Sequence, residues 1–290
     1  MKKLVILMFV ITTSMLGQIS RGFVKEGLTI QSKILNKEVR YTIYLPFDYI
    51  TSSRFYPIVY LLHGYTDNDM GWLQFGEVNM IADEAIAKRE IPPMIIVTPD
   101  AGVSWYINNF DNTVMWEDFF IKEFIPFIEL KYRIRKEKRY RGIAGLSMGG
   151  YGTLNFAFKY PDLFSAAAPM SAAIYTNEQV ANFSPERWNK VEGILFGNNL
   201  VGKKRLTKHF NENDPLYLID SLDVNKLKTV RYYIDCGDDD HLTIGNSLLH
   251  IKMVKLKIPH EFRMRDGRHN WKYWRSGLVN ALKFIGKSYR

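Results

Sequence analysis

The sequence predicts an α/β fold with a mostly parallel central sheet, an antiparallel hairpin at its N-terminal end and helices on both faces. Three observations predict it. Continuous apolar runs such as Pro57-Ile58-Val59-Tyr60-Leu61-Leu62 and Met94-Ile95-Ile96-Val97 read as strands buried on both sides. Stretches of helical periodicity separate these runs, the alternation that a sheet covered on both faces requires. A third apolar run leads into Gly145-Leu146-Ser147-Met148-Gly149-Gly150 and then into a helical stretch, which is the strand, tight turn and helix of a nucleophile elbow.

The chain has 290 residues, of which 47% are hydrophobic and 14% aromatic, enough to bury a large core. It contains no linker, internal repeat or low-complexity tract, so one domain is expected over residues 21–290. The formal net charge is +9, from 39 basic and 30 acidic residues. The basic residues form no compact run interleaved with stacking aromatics, so a nucleic-acid partner is not expected; a solvated basic surface, suited to acidic glycans, is the simpler reading. Cys236 is the single cysteine, which excludes an intramolecular disulfide and a multi-cysteine metal site. Residues 1–20 read as a signal peptide. Lys2-Lys3 is its basic start, Leu4 to Leu16 its apolar stretch, and Gly17-Gln18-Ile19-Ser20 supplies small or polar residues for cleavage. The apolar stretch is too short to span a bilayer comfortably and no cysteine follows it. The expectation is export to the periplasm or outside a bacterial cell, without stable membrane insertion once the segment is removed.

Taken in order, residues 28–35 and 38–45 flank Asn36-Lys37 as a hairpin, with alternation in Val39, Tyr41, Ile43 and Leu45. The run 57–62 is a buried strand ending at His63-Gly64-Tyr65. Met80, Ile81, Ala85 and Ile86 carry a helical period, and 94–97 is the next strand. Residues 101–115 form a loop rich in Asn and aromatics. Trp116, Phe119, Phe120, Phe124, Phe127 and Ile128 fall on a core-facing helix that Pro126 should kink. Residues 140–144 are the elbow strand and 151–158 its helix. Residues 164–170 are a short strand, and 171–215 form an irregular segment with weak helical pieces, placed to lie over the sheet edge. A strand at 230–235 runs into Cys236-Gly237-Asp238-Asp239-Asp240, a helix covers 248–256, and the last strand, 261–265, precedes a final helix over 270–285.

Serine is a poor nucleophile at neutral pH unless a base lies within hydrogen-bond reach and a third group holds that base. In this arrangement the partners follow in the order serine, acid, histidine, on loops at the carboxyl ends of strands. Of six histidines, His241, His260 and His269 come late enough. His260 precedes the last strand and so belongs at the amino edge, roughly 16 Å away at about 3.3 Å per residue. His269 follows the Gly267 turn and is the expected base. Asp238, Asp239 and Asp240 all follow the preceding strand, and spacing alone does not choose among them; Asp235 lies within that strand. For the oxyanion hole, the Met148 amide comes directly after the nucleophile and the Tyr65 amide sits in the loop after a neighbouring strand. His63 is expected to shape that loop.

Tyr60-Leu61-Leu62-His63-Gly64, the elbow, Ile234 through Asp240 and Gly267-Arg268-His269-Asn270-Trp271 together resemble the putative-esterase branch of the α/β-hydrolases over roughly residues 25–285. That branch includes feruloyl and acetylxylan esterases, S-formylglutathione hydrolases and mycolyltransferases. The resemblance implies that Asp240, three residues after the glycine, is the acid, and it supports Ser147, His269 and the Tyr65 and Met148 amides. Asn270 departs from the Asp that relatives often carry there. The activity it implies is that of a secreted serine esterase working through an acyl-enzyme without metal or organic cofactor, on a small-molecule or polysaccharide ester; feruloyl or acetyl groups of plant polysaccharides are the favoured substrates. An acyltransferase or an S-formylglutathione-type thioesterase is the alternative within the family, and a non-catalytic carbohydrate-binding module on a hydrolase scaffold is the alternative outside it.

Overall fold

A computed structural model describes residues 20–289, so the signal segment expected over residues 1–20 lies outside the described residues except for Ser20. The strand-forming runs become an eight-stranded sheet: β1 Phe23–Ser32, β2 Lys37–Leu45, β3 Ile58–Leu62, β4 Ile95–Pro99, β5 Arg141–Leu146, β6 Ala166–Met170, β7 Arg231–Gly237 and β8 His260–Arg265, in the order β1-β2-β4-β3-β5-β6-β7-β8. The β1–β2 and β2–β4 pairs are antiparallel and every later pair is parallel. This is the mostly parallel sheet that the alternation predicts, in the α/β-hydrolase arrangement that the resemblance implies. Strands β3 to β8 therefore end at one edge, which collects the loops that come after them.

The N-terminal hairpin is longer than its alternation suggests. Strand β1 begins at Phe23, and its register shifts between Lys25 and Leu28, where Gly27 takes φ 63°. A bulge of this kind breaks the two-residue period, which hides the first half of the strand from the sequence pattern. Val39, Tyr41, Ile43 and Leu45 of β2 are all buried, as their alternation requires.

Helices cover both faces. The main ones are α1 Val78–Ala87, α2 Ile125–Lys131, α3 Met148–Lys159, α4 Thr243–Lys255 and α5 Trp271–Gly286. One core layer joins Tyr60, Phe120, Phe124, Leu154 and Phe156; the opposite layer joins Val59, Leu61, Ala82, Leu278 and Leu282. The aromatics at 116–128 are core, with Phe127 packed at its margin. The irregularity in that helix lies one turn before Pro126. Phe120–Phe124 widens to a π-helix, and Pro126 sits in the first turn of α2. The ring lacks an N–H for the Lys122 carbonyl and crowds that turn, and the wider turn relieves both problems. The 171–215 segment resolves into short helical pieces, the first of which, Asn177–Asn182, starts in a capping box between Thr176 and Gln179. Among the described residues no helix is long and apolar enough to cross a membrane.

Two buried polar devices tie the sheet to its surroundings. At the amino end of β5, Arg141 donates to Glu129 at 2.7 Å and to the carbonyls of Leu163 and Lys136, each at 2.7 Å. Both side chains are buried, and burial pushes the Glu129 carboxyl upward against the pull of Arg141. At the carboxyl edge, His63 is fully buried. Its Nδ1 bonds the Gly64 carbonyl at 2.8 Å, its Nε2 accepts the Ala101 amide at 2.9 Å, and the Tyr106 hydroxyl donates to its carbonyl at 2.9 Å. The imidazole thus links the loop after β3 to the loop after β4. It must be neutral to accept at Nε2, and burial lowers its pKa below the ordinary 6.5.

Replacing Glu129 with Ala leaves a buried guanidinium without its partner. We expect a loss of about 3–5 kcal/mol in urea unfolding, and an unchanged midpoint would refute this role. The depressed pKa of His63 has a pH signature. As pH falls below about 6.5 the unfolded chain binds the proton before the folded one, so the contribution of His63 is complete above that pH and is lost as pH falls toward the folded value. Unfolding free energies measured from pH 8 to 5 should fall less steeply in His63→Gln than in the wild type; equal slopes would contradict the assignment.

Candidate active site

The elbow is built from backbone before any side chain takes part. Ser147 has φ 53° and ψ −116°, outside the regions that an L-residue occupies freely, at a cost of order 1–3 kcal/mol. Bonds on both sides hold it there: its N–H reaches the Met170 carbonyl at 3.0 Å, and its carbonyl accepts from Tyr151 and Ala173, both at 3.0 Å. The turn also needs close strand-helix contact. A Cβ on Gly149 would stand 2.4 Å from the Leu62 carbonyl oxygen, so only glycine lets α3 start this close to β3.

The structure brings His269 and Asp240 to this serine. His269 Nε2 lies 3.0 Å from Ser147 Oγ, and its Nδ1 lies 2.9 Å and 3.1 Å from the two Asp240 oxygens. The Asp240 carboxyl is buried; burial opposes its ionisation, but bonds from His269 and the Leu242 amide prevail and hold its pKa below the ordinary carboxylate value. Of the adjacent acids, Asp238 accepts from the Gly267 and Asp239 amides at 3.0 Å each, clamping the loop that carries His269. Asp239 is exposed and faces Arg268 at 3.4 Å. Asp235 points elsewhere: its buried carboxylate pairs with Arg265 at 3.1 Å and accepts from the Tyr233 and Tyr273 hydroxyls. His260 begins β8 at the opposite edge and bonds His250 at 2.7 Å.

Around the histidine the walls are aromatic. The Trp274 ring meets His269 edge-on at 4.8 Å, and its Nε1 donates to the Ser171 hydroxyl at 3.0 Å. Trp271 packs edge-on against Trp72 at 5.2 Å, and Trp72 is tied to the Leu62 carbonyl at 2.9 Å. A cavity of about 350 Å³ opens at Ser147 and His269, walled by Tyr65, Thr66, Asp67, Phe75, Trp271 and Trp274. Tyr65 thus stands beside the serine, and Met148 is the first residue of α3 directly after it.

In the aromatic loop, Trp105 and Tyr106 pack against α3: Trp105 meets Tyr151 edge-on at 5.2 Å, and Tyr106 lies under Gly152 with its hydroxyl on the His63 carbonyl. The cavity walls contain no residue of 171–215. Phe75, Thr66 and Asp67 escape the sequence pattern because they sit in an aperiodic loop; Trp271, one helical turn before Trp274, was the available signal. Asn270, the departure from the family pattern, caps α5 by accepting the Tyr273 amide at 3.1 Å. His241, beside Asp240, packs edge-on to His269 at 4.7 Å, and burial together with its neighbour His269 lowers its pKa.

Comparison with known proteins identifies the relatives of the chain. Residues 32–285 match the family model described as putative esterase. An esterase of Mycobacterium tuberculosis is 30% identical over 245 residues, covering 78% of this chain and 51% of that protein, so the chain spans about half of that relative's length. An acetyl esterase of Caldicellulosiruptor saccharolyticus is 26% identical over 278 residues, 90% of this chain and 97% of that one. Among solved structures, a ferulic acid esterase superposes with a TM-score of 0.81 at 34% identity, covering 93% of this chain and 99% of the other. With a family match across most of its length and a relative of this identity over nearly its whole fold, the chain belongs to the putative esterase family.

Proposed function

We propose that the protein is a carboxylic-ester hydrolase in which Ser147 is the nucleophile, His269 the general base and Asp240 the group that orients it. The observation that carries this reading is the unbroken chain from Ser147 Oγ to His269 at 3.0 Å and from His269 to the buried Asp240 carboxylate at 2.9 Å. With Asp240 accepting at Nδ1, the imidazole keeps Nε2 free to receive a proton. His269 takes the Ser147 proton as Oγ attacks the ester carbonyl. The oxyanion forms between the amides of Met148 and Tyr65, the former at the positive end of α3. Proton return from His269 releases the alcohol, and water activated by the same imidazole then cleaves the acyl-serine to free acid. The chain's own groups supply every proton transfer in this sequence.

For the substrate we propose an acetyl or feruloyl ester of a polysaccharide, met after export through the segment at residues 1–20. The acetyl and ferulic acid esterase relatives support the acyl group. The tilted pair of Phe75 and Trp271 rings, 5.7 Å apart at the cavity wall, offers a stacking surface for a phenolic ring or a sugar face.

Ser147→Ala should abolish turnover of a p-nitrophenyl ester. Asp240→Asn should lower kcat by roughly 10³ to 10⁴, because the amide can stabilise the wrong imidazole tautomer. Asp239→Asn should leave turnover almost unchanged, and Asp238→Asn should cost little because its amide oxygen still accepts from Gly267. Steady-state kinetics of the three variants check the assignment, and an equal loss in all three would refute it. A panel of methyl ferulate, acetylated xylan and S-formylglutathione tests the substrate, and hydrolysis confined to the thioester would overturn the polysaccharide reading.

A further inference from the structure

Asp240, His241 and His269 present one oxygen and two imidazole donors whose ligating atoms all lie within 4.8 Å of one another. Among the described residues this is the one group of three or more such side chains close enough to share an ion. Only two of the three belong to the catalytic chain. His241 Nδ1 stands 3.5 Å from Asp240 Oδ1, and its ring meets that of His269 edge-on at 4.7 Å. Its side chain is 60% exposed, against 22% for His269, so His241 can rotate without disturbing the core.

We propose that these three residues form an inhibitory site for a first-row transition-metal ion, with zinc the best match. Donors about 2.0–2.2 Å from zinc at tetrahedral angles lie roughly 3.4 Å apart, close to the 3.1 Å and 3.5 Å at which His269 Nδ1 and His241 Nδ1 already stand from Asp240 Oδ1. A small rotation of the exposed His241 closes the third side. Two imidazoles, one carboxylate and a water make an ordinary four-coordinate zinc set, reached from solvent over His241.

Binding would act through the imidazole tautomer. The ion takes Nδ1 of the neutral His269 ring, and the ring's single proton, given up at Nδ1, is regained from solvent at Nε2, so that no net proton is lost. His269 then carries its one proton on Nε2, facing Ser147. An imidazole in that state donates to the serine and cannot accept its proton, so the nucleophile is silenced while the substrate cavity stays open. The inhibitory consequence rests on the proposed roles of Ser147 and His269; the metal site itself does not.

The test uses zinc chloride alone with the whole protein. Titration calorimetry should show zinc binding to the wild type. Ester turnover should fall in step with that occupancy. In His241→Ala and His241→Gln, zinc affinity and zinc inhibition, each measured against the variant's own metal-free rate, should both weaken roughly tenfold or more. Two variants are used so that the loss tracks the imidazole and not the size of its replacement. Zinc held by the His250 and His260 pair would be unaffected by either change. Equal zinc affinity in the wild type and both variants, or undiminished turnover in zinc-saturated wild type, would overturn the proposal. A metal-free protein without esterase turnover would instead count against the hydrolase reading, and the calorimetric comparison would still decide the site.

Discussion

The approach of the start of α3 to the end of β3 is the contact on which the rest of the site depends. Strands β3 and β5 pair in parallel over five residues each, from Ile58 opposite Arg141 to Leu62 opposite Gly145. That register sets Gly149 against the Leu62 carbonyl, where a methyl group would collide at 2.4 Å. With the helix seated so closely, the chain can leave β5 only through an unfavourable turn, and Ser147 occupies it at φ 53°. The strain is local, and the bonds that offset it come from β6 and the segment after it. The same contact places the Gly64-Tyr65 loop beside the serine, and His63 holds that loop from inside the protein by linking it to Ala101. Placement of the serine and of the proposed oxyanion donors is therefore one packing event.

The other half of the site depends on the last parallel pair. Strands β7 and β8 run in register from Tyr232 opposite His260 to Gly237 opposite Arg265, so the loops beyond them emerge together. The three adjacent acids then divide the work by position. Asp238 and the Asp239 amide bond the Gly267 backbone and join the loops, the Asp239 side chain faces solvent, and Asp240 turns inward to His269. The buried Asp235, paired with the partly exposed Arg265, fastens the end of β8 to α5 through Tyr273. Trp274, one turn into α5, then braces the imidazole from the side. A histidine on an exposed loop thereby acquires a fixed direction from groups that are themselves buried or bonded.

Much of this was legible in the residues. Continuous apolar runs at 57–62 and 94–97 identified strands buried on both faces because a parallel interior leaves no wet side to encode. The position of Gly267 separated His269 from His260, since a strand of five or six residues carries its two ends to opposite edges of the sheet. Spacing could not resolve the direction of side chains in a tight turn. Asp238, Asp239 and Asp240 are indistinguishable as a string, and their separation depends on the turn that joins β7 to α4. The first half of β1 was hidden by its bulge, and the cavity wall was hidden because Asp67 and Phe75 lie in turns on either side of the single helical turn Gly71–Gln74, too short to show a period. Trp105 and Tyr106, equally aromatic, proved to be packing under α3.

The central claim is that these constraints make Ser147 a nucleophile that carries the acyl group. Mass spectrometry of protein quenched in acid during turnover of a slow p-nitrophenyl ester tests it directly. The account predicts a transient mass increase equal to one acyl group, mapped by peptide sequencing to Ser147 and absent from the serine-to-alanine variant. Sustained turnover with the acyl group on another residue, or with no covalent species under conditions where acylation outpaces hydrolysis, would contradict it.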